Sequence, residues 1–363
     1  MKTNGFIGNL RIISAIAMKD IVDALMNKKI MSSVLSSILL VVFFRFLPVI
    51  EGGDILPRLA VYDADESAVI AQLEQSVEFD FYEFASQEQV ESYVADRDVV
   101  VVGVVLPENF DTLINSETQI ELDAYVAHWP SDTDIQESVL FFEDQLSVIT
   151  GKEITANIED HTVYTRPSSR GPAFYSSVSF VLIFMMVGLS VIPNLMIDER
   201  KNKTMDALMV SPASNTQIVI GKAIAGLVYC LFGLVVMLLV YSALITQWWL
   251  AILVIVVGSL FAVSLGLLLG SLVEVRQQLL LWTFIILVPL LVPVFFVTAT
   301  KLFSDSLISI MDWIPTVVLV NLLKLSYMNQ APLADLLPRL GFVIGITALI
   351  FGLVVWVVRR QDQ

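Results

Sequence analysis

Cysteine and histidine are nearly missing from this chain of 363 residues: Cys230 is its one cysteine, and His128 and His161 are its two histidines. A single thiol inside an apolar run can form neither an intrachain disulfide nor a thiolate metal cluster, and two histidines exclude a multi-histidine metal centre. Charge is scarce as well, at 16% of residues, where a soluble protein carries roughly a quarter. Basic residues are few in 51–173, which holds five of them against 26 acids, a local net charge of -21, while the rest of the chain is net +6. Catalytic signatures are absent too. There is no Ser/His/Asp grouping, no His-Glu-x-x-His and no paired aspartate within a span, so a membrane enzyme has the least support. A phosphate-binding Gly-x-x-x-x-Gly-Lys-Ser/Thr is also missing: Gly221-Lys222 is followed by Ala223, and Thr216 stands where the first glycine belongs. This chain is not expected to hydrolyse ATP itself.

What is abundant is apolar sequence, 56% of residues with a mean hydropathy of +0.77. A spanning helix needs about 20 apolar residues, and such runs fall at 30–50, 174–197, 218–245, 250–272, 279–300 and 340–358. The fold class expected is a polytopic α-helical membrane protein of six transmembrane helices with an inserted α/β extracytoplasmic domain. Trp248 and Trp249 in the tight turn before the fourth run suit an interfacial belt. The lysine and arginine bias sets the direction. Segments 1–29, 198–217, 273–278 and 359–363 are expected on the cytoplasmic side of the cell membrane, with both termini inside. The first apolar run lacks a cleavage site, since Phe43-Phe44-Arg45-Phe46 closes it, and is expected to stay as an anchor. Arg45 can snorkel to headgroups from there. Within 1–29, Phe6, Ile7, Leu10, Ile13, Ala17, Ile21, Ala24 and Leu25 recur at helical spacing, the pattern of an amphipathic helix lying in the interface; a helix packed on other protein is the alternative.

Residues 51–173 form the large extracytoplasmic segment. A strand is expected at Arg58–Asp63, a helix over 67–77, a half-buried strand at Phe79–Phe84 and a helix at Gln87–Ala95. A central strand at Val99–Leu106 follows, then an alternating strand at Gln119–Val126 and an amphipathic helix at 131–150 leading back to the membrane. Carboxylate groups such as Asp63/Asp65/Glu66, Asp96/Asp98 and Asp132/Asp134 lack the glycine-centred spacing of a calcium loop. They are taken as a solvated acidic face, with no metal site, and His128 beside Trp129-Pro130 as a turn residue.

The most informative stretch is Asp198-Glu199-Arg200-Lys201-Asn202-Lys203-Thr204-Met205-Asp206-Ala207-Leu208-Met209-Val210-Ser211-Pro212. It reads as a short amphipathic helix that a Ser-Pro break ends, followed by a second element capped by Ser214 or Asn215. In the order Glu199, Lys203, Thr204, Leu208, Ser211, Pro212, Gly221, Lys222 the chain resembles permeases of the ABC-2 exporter superfamily, in the sodium-extrusion and multidrug-type branch. It departs from that branch at Lys203, where glycine is frequent, and in reducing a leucine pair to Ala207-Leu208. Asp63-Asp65-Ser67, Leu106-Pro107-Glu108-Asn109-Phe110 and Ile314-Pro315-Thr316 through Asn321-Leu322-Leu323 extend the resemblance along the chain. It implies that 198–217 carries a coupling helix for a separate ABC ATPase subunit, with Glu199, Arg200, Lys203, Thr204, Leu208, Ser211, Pro212, Gly221 and Lys222 as the coupling residues. It implies no cofactor in this chain, ATP and magnesium being held by the ATPase, and a second permease copy or paralogue beside it in the bilayer. No nucleic-acid partner is expected.

Two proline interruptions one turn apart, Pro289 and Pro293, and a third at Pro193 kink their helices, which membranes tolerate where neighbours or cavity water satisfy the backbone. These are the candidate gate or pathway residues. The apolar stretch within 302–338 is expected to form a re-entrant-like segment. Buried carboxylates near the centre of a span are missing, which argues against a carrier powered by protons or sodium and fits an apolar cargo path. The competing reading is a non-transporting receptor or scaffold whose extracytoplasmic domain binds a ligand or envelope partner. The domain plan is thus 1–29 as interfacial helix, 30–50 as first span, 51–173 as extracytoplasmic domain and 174–363 as permease core.

Overall fold

The computed structural model describes residues 3–51, 56–65, 67–97, 99–116, 119–166, 171–201, 214–297 and 304–361, without the side chains of 3–7, 29, 33, 40, 43–51, 215, 305 and 361. The chain is mostly helical, with one small α/β region. Helices α1 (Thr3–Met26) and α2 (Lys28–Glu51) open it. The α/β region follows as β1 (Arg58–Tyr62), α3 (Ile70–Leu73), β2 (Asp80–Phe84), α4 (Gln87–Ala95), β3 (Val101–Val105), α5 (Phe110–Ser116), β4 (Gln119–Ala127), α6 (Asp132–Thr150), β5 (Glu153–Asn157) and β6 (Thr162–Val163). Then come the long helices α7 (Pro172–Lys201), α8 (Asn215–Val240), α9 (Trp248–Leu272) and α10 (Arg276–Val297), the short α11 (Asp305–Met311) and α12 (Pro315–Leu325), and α13 (Leu333–Gln361). Five of these, α7, α8, α9, α10 and α13, are long and apolar enough to cross a membrane. The expected first span at 30–50 is helical within α2, but the side chains of its second half, Arg45 included, lie outside the described residues.

The sheet runs in the order β2-β1-β3-β4-β5, with β6 pairing the far end of β4. The Val-rich β3 is central, parallel to β1 and antiparallel to β4. Its alternating side chains feed two cores: Val102 and Val104 pack with Leu59, Leu122 and Phe142 on the α6 side, and Val101 with Val90 and Val94 of α4 on the other. Two sequence expectations fail here. The helix over 67–77 shrinks to four residues, because Asp63 accepts from the amides of Asp65 and Ser67 and holds the chain in a loop until Val69 and Ile70 reach the core. The helix 132–150 does not lead back to the membrane. Gly151 stops it in the left-handed conformation, and the chain then lays two further strands along β4. The loops after β1 and β3 tie each other down, Asp111 accepting from the Ala68 amide and Asp65 from the Asn109 amide. These carboxylates are occupied as loop caps, and no group of three or more metal-binding side chains exists among the described residues.

The long helices pack on small residues, as closely approaching membrane helices do. Gly258, Ala262, Gly266 and Gly270 form one stripe of α9 facing α7; a Cβ at Gly266 would collide with the carbonyl of Gly188, a backbone atom that cannot move aside. At the sheet end, the α8–α9 turn is bolted to the segment after α12. The amides of Thr246 and Gln247 donate to the Ser326 carbonyl at 3.1 and 2.8 Å, and the Gln247 side chain donates to Met328 at 2.9 Å. His128, expected as a turn residue, reaches from the end of β4 to the Leu244 carbonyl at 3.2 Å, and Trp129 packs on the helical core. The α/β region is therefore fastened to the bundle.

Candidate functional site at the charged end of the bundle

The far end of α7, some 45 Å from its start at 1.5 Å per residue, is where the charges meet. The apolar run of α7 ends in Asp198-Glu199-Arg200-Lys201, and α8 begins after the Ser214 cap, which forms a reciprocal capping box with Gln217. Basic residues in a last helical turn face the helix's own negative end. Arg200 goes further and crosses to α9, donating to the carbonyls of Ser271 and Val273 at 3.1 and 3.2 Å, groups that a helix C-terminus otherwise leaves unpaired.

Glu199 and Lys222, expected as coupling residues, are brought into direct contact, and α1 joins them. Lys222 Nζ donates to Glu199 and, at 3.2 Å, to Asp20 Oδ2; Lys19 Nζ donates to Glu199 Oε1 at 2.8 Å and lies 3.6 Å from Asp20. Lys222, Asp20 and Glu199 are 3%, 1% and 6% exposed, so the ion pairs are desolvated. Two carboxylates and two ammonium groups balance in charge, which is what makes such burial tolerable. Burial pushes the Asp20 carboxyl above its ordinary value, with Lys222 pulling the other way. Burial lowers Lys19, but the hydrogen bond and charge of Glu199, with Asp20 and Asp23, outweigh it and hold the ammonium above its usual range. A second bridge sits alongside: Arg276 donates to Asp198 at 2.6 Å, and Asn27 donates to the same carboxylate at 3.1 Å.

Gly221, the neighbour of Lys222, serves the approach of α1. A Cβ there would stand 2.7 Å from Ile16 Cγ2 and 3.3 Å from the Ile13 carbonyl, so glycine lets α1 lie on α8 close enough for Asp20 to reach Lys222. Further contacts keep the two helices in register, Gln217 donating to Asn9 at 2.8 Å and the Tyr229 hydroxyl to the Ile21 carbonyl. One face of α1 is thus packed on protein, while Leu10, Met18, Val22 and Leu25 stay exposed.

The remaining expected coupling residues, Lys203, Thr204, Leu208, Ser211 and Pro212, lie outside the described residues. The three prolines do not converge. Pro193 packs against Gly270 of α9. Pro293 is buried and Pro289 exposed on α10, with Thr316 donating its hydroxyl to the Leu290 carbonyl between them. Asp20 was missed from sequence, and Lys19 and Asp198 were not among the expected coupling residues. A signal for Asp20 existed, since it falls on the stripe Ile13, Ala17, Asp20, Ala24, the face that α1 buries. What the cluster can do is hold the end of α7, the start of α8 and the body of α1 together.

A family model described as ABC-2 family transporter protein matches residues 28–356. No curated protein and no solved structure matches the chain.

Proposed function

The chain belongs to the ABC-2 transporter family, and from that premise we propose that it is the transmembrane permease subunit of an ATP-driven exporter. It is a multi-pass membrane protein that carries no ATP-binding signature of its own. In this reading a separate ABC ATPase docks on the segment within 198–217 through Arg200, Lys203, Thr204, Leu208, Ser211 and Pro212, and a second permease copy or paralogue completes the cavity. Both termini are cytoplasmic, α2 supplies the sixth span from residue 30 to 50, the α/β region of 51–173 faces outward, and 302–338 forms the re-entrant cap over the path.

The observation that carries this is the buried bridge between Glu199 and Lys222 at the two feet of the segment, shared with Asp20. A passive loop needs no desolvated ion pair at its base. A lever that must deliver force to helices does, because the pair makes the feet one body. An apolar groove of about 530 Å³ lies between α8, α9 and α13, lined by Ile220, Ile224, Leu260 and Phe351 among others.

Co-purification tests the proposal. The intact protein is expected to retain an ATPase subunit, and Thr204→Asp and Leu208→Asp to abolish ATP-dependent flux in vesicles with the fold intact. Flux that survives both substitutions, with no ATPase recovered, refutes it. Cysteine labelling that places residue 204 on the outer face refutes the orientation.

A further inference from the structure

At the opposite end of the molecule, where the sheet meets the start of α7, lies an open cleft of about 600 Å³. One wall is Phe84, Ser92, Tyr93, Asp96 and Arg97, at the end of β2 and along α4; the other is Gly171 and Tyr175. The two walls are locked together, because a Cβ at Gly171 would collide with the backbone of Asp96. Gly171 immediately precedes a 30-residue helix that can cross a membrane, which sets the cleft at headgroup level, and Tyr175 stands 63% exposed at that depth, as interfacial tyrosines do.

Arg97 is the unusual residue there. Its guanidinium lies 4.2 Å above the ring of Tyr93, and Tyr93 in turn packs on Tyr82 and Phe84 at 5.0 and 4.9 Å. Residues 51–173 carry a net charge of -21, yet among the described residues no carboxylate lies within ion-pairing distance of Arg97, while Arg166, in the segment after β6, holds Glu88 and Glu91 of α4. Stacking fixes the plane of a guanidinium and leaves its N–H edge available, the geometry that grips a phosphate with two hydrogen bonds.

We propose that this cleft binds the phosphodiester headgroup of a zwitterionic phospholipid, with Arg97 as the anion partner and Tyr93 and Tyr175 as flanking walls. The charge around it selects that class. Asp96 on the same wall and the acidic domain as a whole repel a phosphate dianion arriving through water. A singly charged phosphodiester bearing its own ammonium meets no such barrier and arrives sideways through the bilayer. The inference needs neither an ATPase partner nor a particular orientation, so it stands or falls separately from the exporter reading.

The full-length protein in detergent is titrated with a short-chain phosphatidylethanolamine, and bound lipid is counted by native mass spectrometry. Arg97→Gln is expected to weaken binding about tenfold or more, Arg97→Lys less, with diacylglycerol of the same chain length unaffected by either. Glycerophosphoethanolamine should compete and inorganic phosphate should not. Phosphate competing equally well overturns the lipid assignment. Where Arg97→Gln does not fold, Tyr175→Ala on the opposite wall carries the test, with a severalfold loss expected. Wild-type binding by a folded variant of either kind overturns the site.

Discussion

Replacing Lys222 by methionine keeps the length of the side chain and removes the charge between Asp20 and Glu199. Lys19 remains within reach of Glu199, but it is 37% exposed in its side chain and cannot replace the buried cation. Breaking a buried pair by deleting one partner costs about 3–5 kcal/mol, because the stranded charge stays desolvated. For 363 residues at the usual unfolding entropy per residue, that corresponds to a fall in Tm of about 4–7 °C for a fully cooperative transition. The assay is thermal unfolding of the detergent-solubilised protein, run as a double-mutant cycle with Glu199→Gln. Deleting the carboxylate together with the lysine is expected to recover at least half of the loss. Acid should help the single variant. Asp20 already has a raised carboxyl through burial, and losing Lys222 raises it further. A group whose folded value is raised contributes stability that is complete below its unfolded value near 4 and is lost as pH rises through the folded value. The deficit of Lys222→Met should therefore shrink between pH 8 and pH 5. A variant melting within a degree of wild type, with no coupling to Glu199, would show that the cluster does not hold the helix ends.

Gly221→Val should push α1 off α8 by meeting Ile16, at a cost of about 1–3 kcal/mol, with partial rescue by Ile16→Ala; melting curves of the two variants check it. Gly266→Val should prevent accumulation of folded protein, since the colliding atom is the Gly188 carbonyl, whereas Gly352→Ala, with nothing within 4 Å, should express and melt like wild type. Burial lowers the His128 imidazole below its usual value, against hydrogen bonds at Leu244 and Val163. The stability it contributes is present above its unfolded value of about 6.5 and lost as pH falls through the folded one. Limited proteolysis where the end of β4 meets the α8–α9 turn should thus accelerate below pH 6 in wild type, and the acceleration should vanish in His128→Gln.

Much of the helical plan was legible, because a run of about 20 apolar residues has few alternatives to a buried or membrane-crossing helix. The helix at Gln87–Ala95 and the central strand were legible for similar local reasons, a serine cap in one case and a valine run in the other. Strands β5 and β6 were not. Glu153–Asn157 is half polar, β6 has two residues, and both exist only because β4 offers an open edge. Asp20 was overlooked for a different reason: its partner Lys222 is 202 positions away, and no spacing rule reaches that far. Gly221-Lys222 was noticed through its resemblance, yet the physical cause of the pair emerges only when α1 lies against it.

The distribution of stiffness follows from these contacts. Glu199 and Lys222 are 23 positions apart, and separating them breaks a desolvated pair, leaving Lys222 with Asp20 alone and Glu199 with the part-exposed Lys19. Any displacement of the segment between them therefore reaches α7, α8 and, through Asp20, α1 together. Along the glycine seam α7 and α9 meet backbone to backbone. The tip of the α8–α9 hairpin is held by the bonds to Ser326 and Met328. What remains deformable is α10, which buries few of its residues, Leu279, Leu291, Pro293 and Val294 among them. It lacks two amide donors at Pro289 and Pro293, and it is pinned by the Thr316 hydroxyl between the two. Bending at α10 costs the fewest contacts, so a rearrangement driven from 202–213 is expected to appear there first.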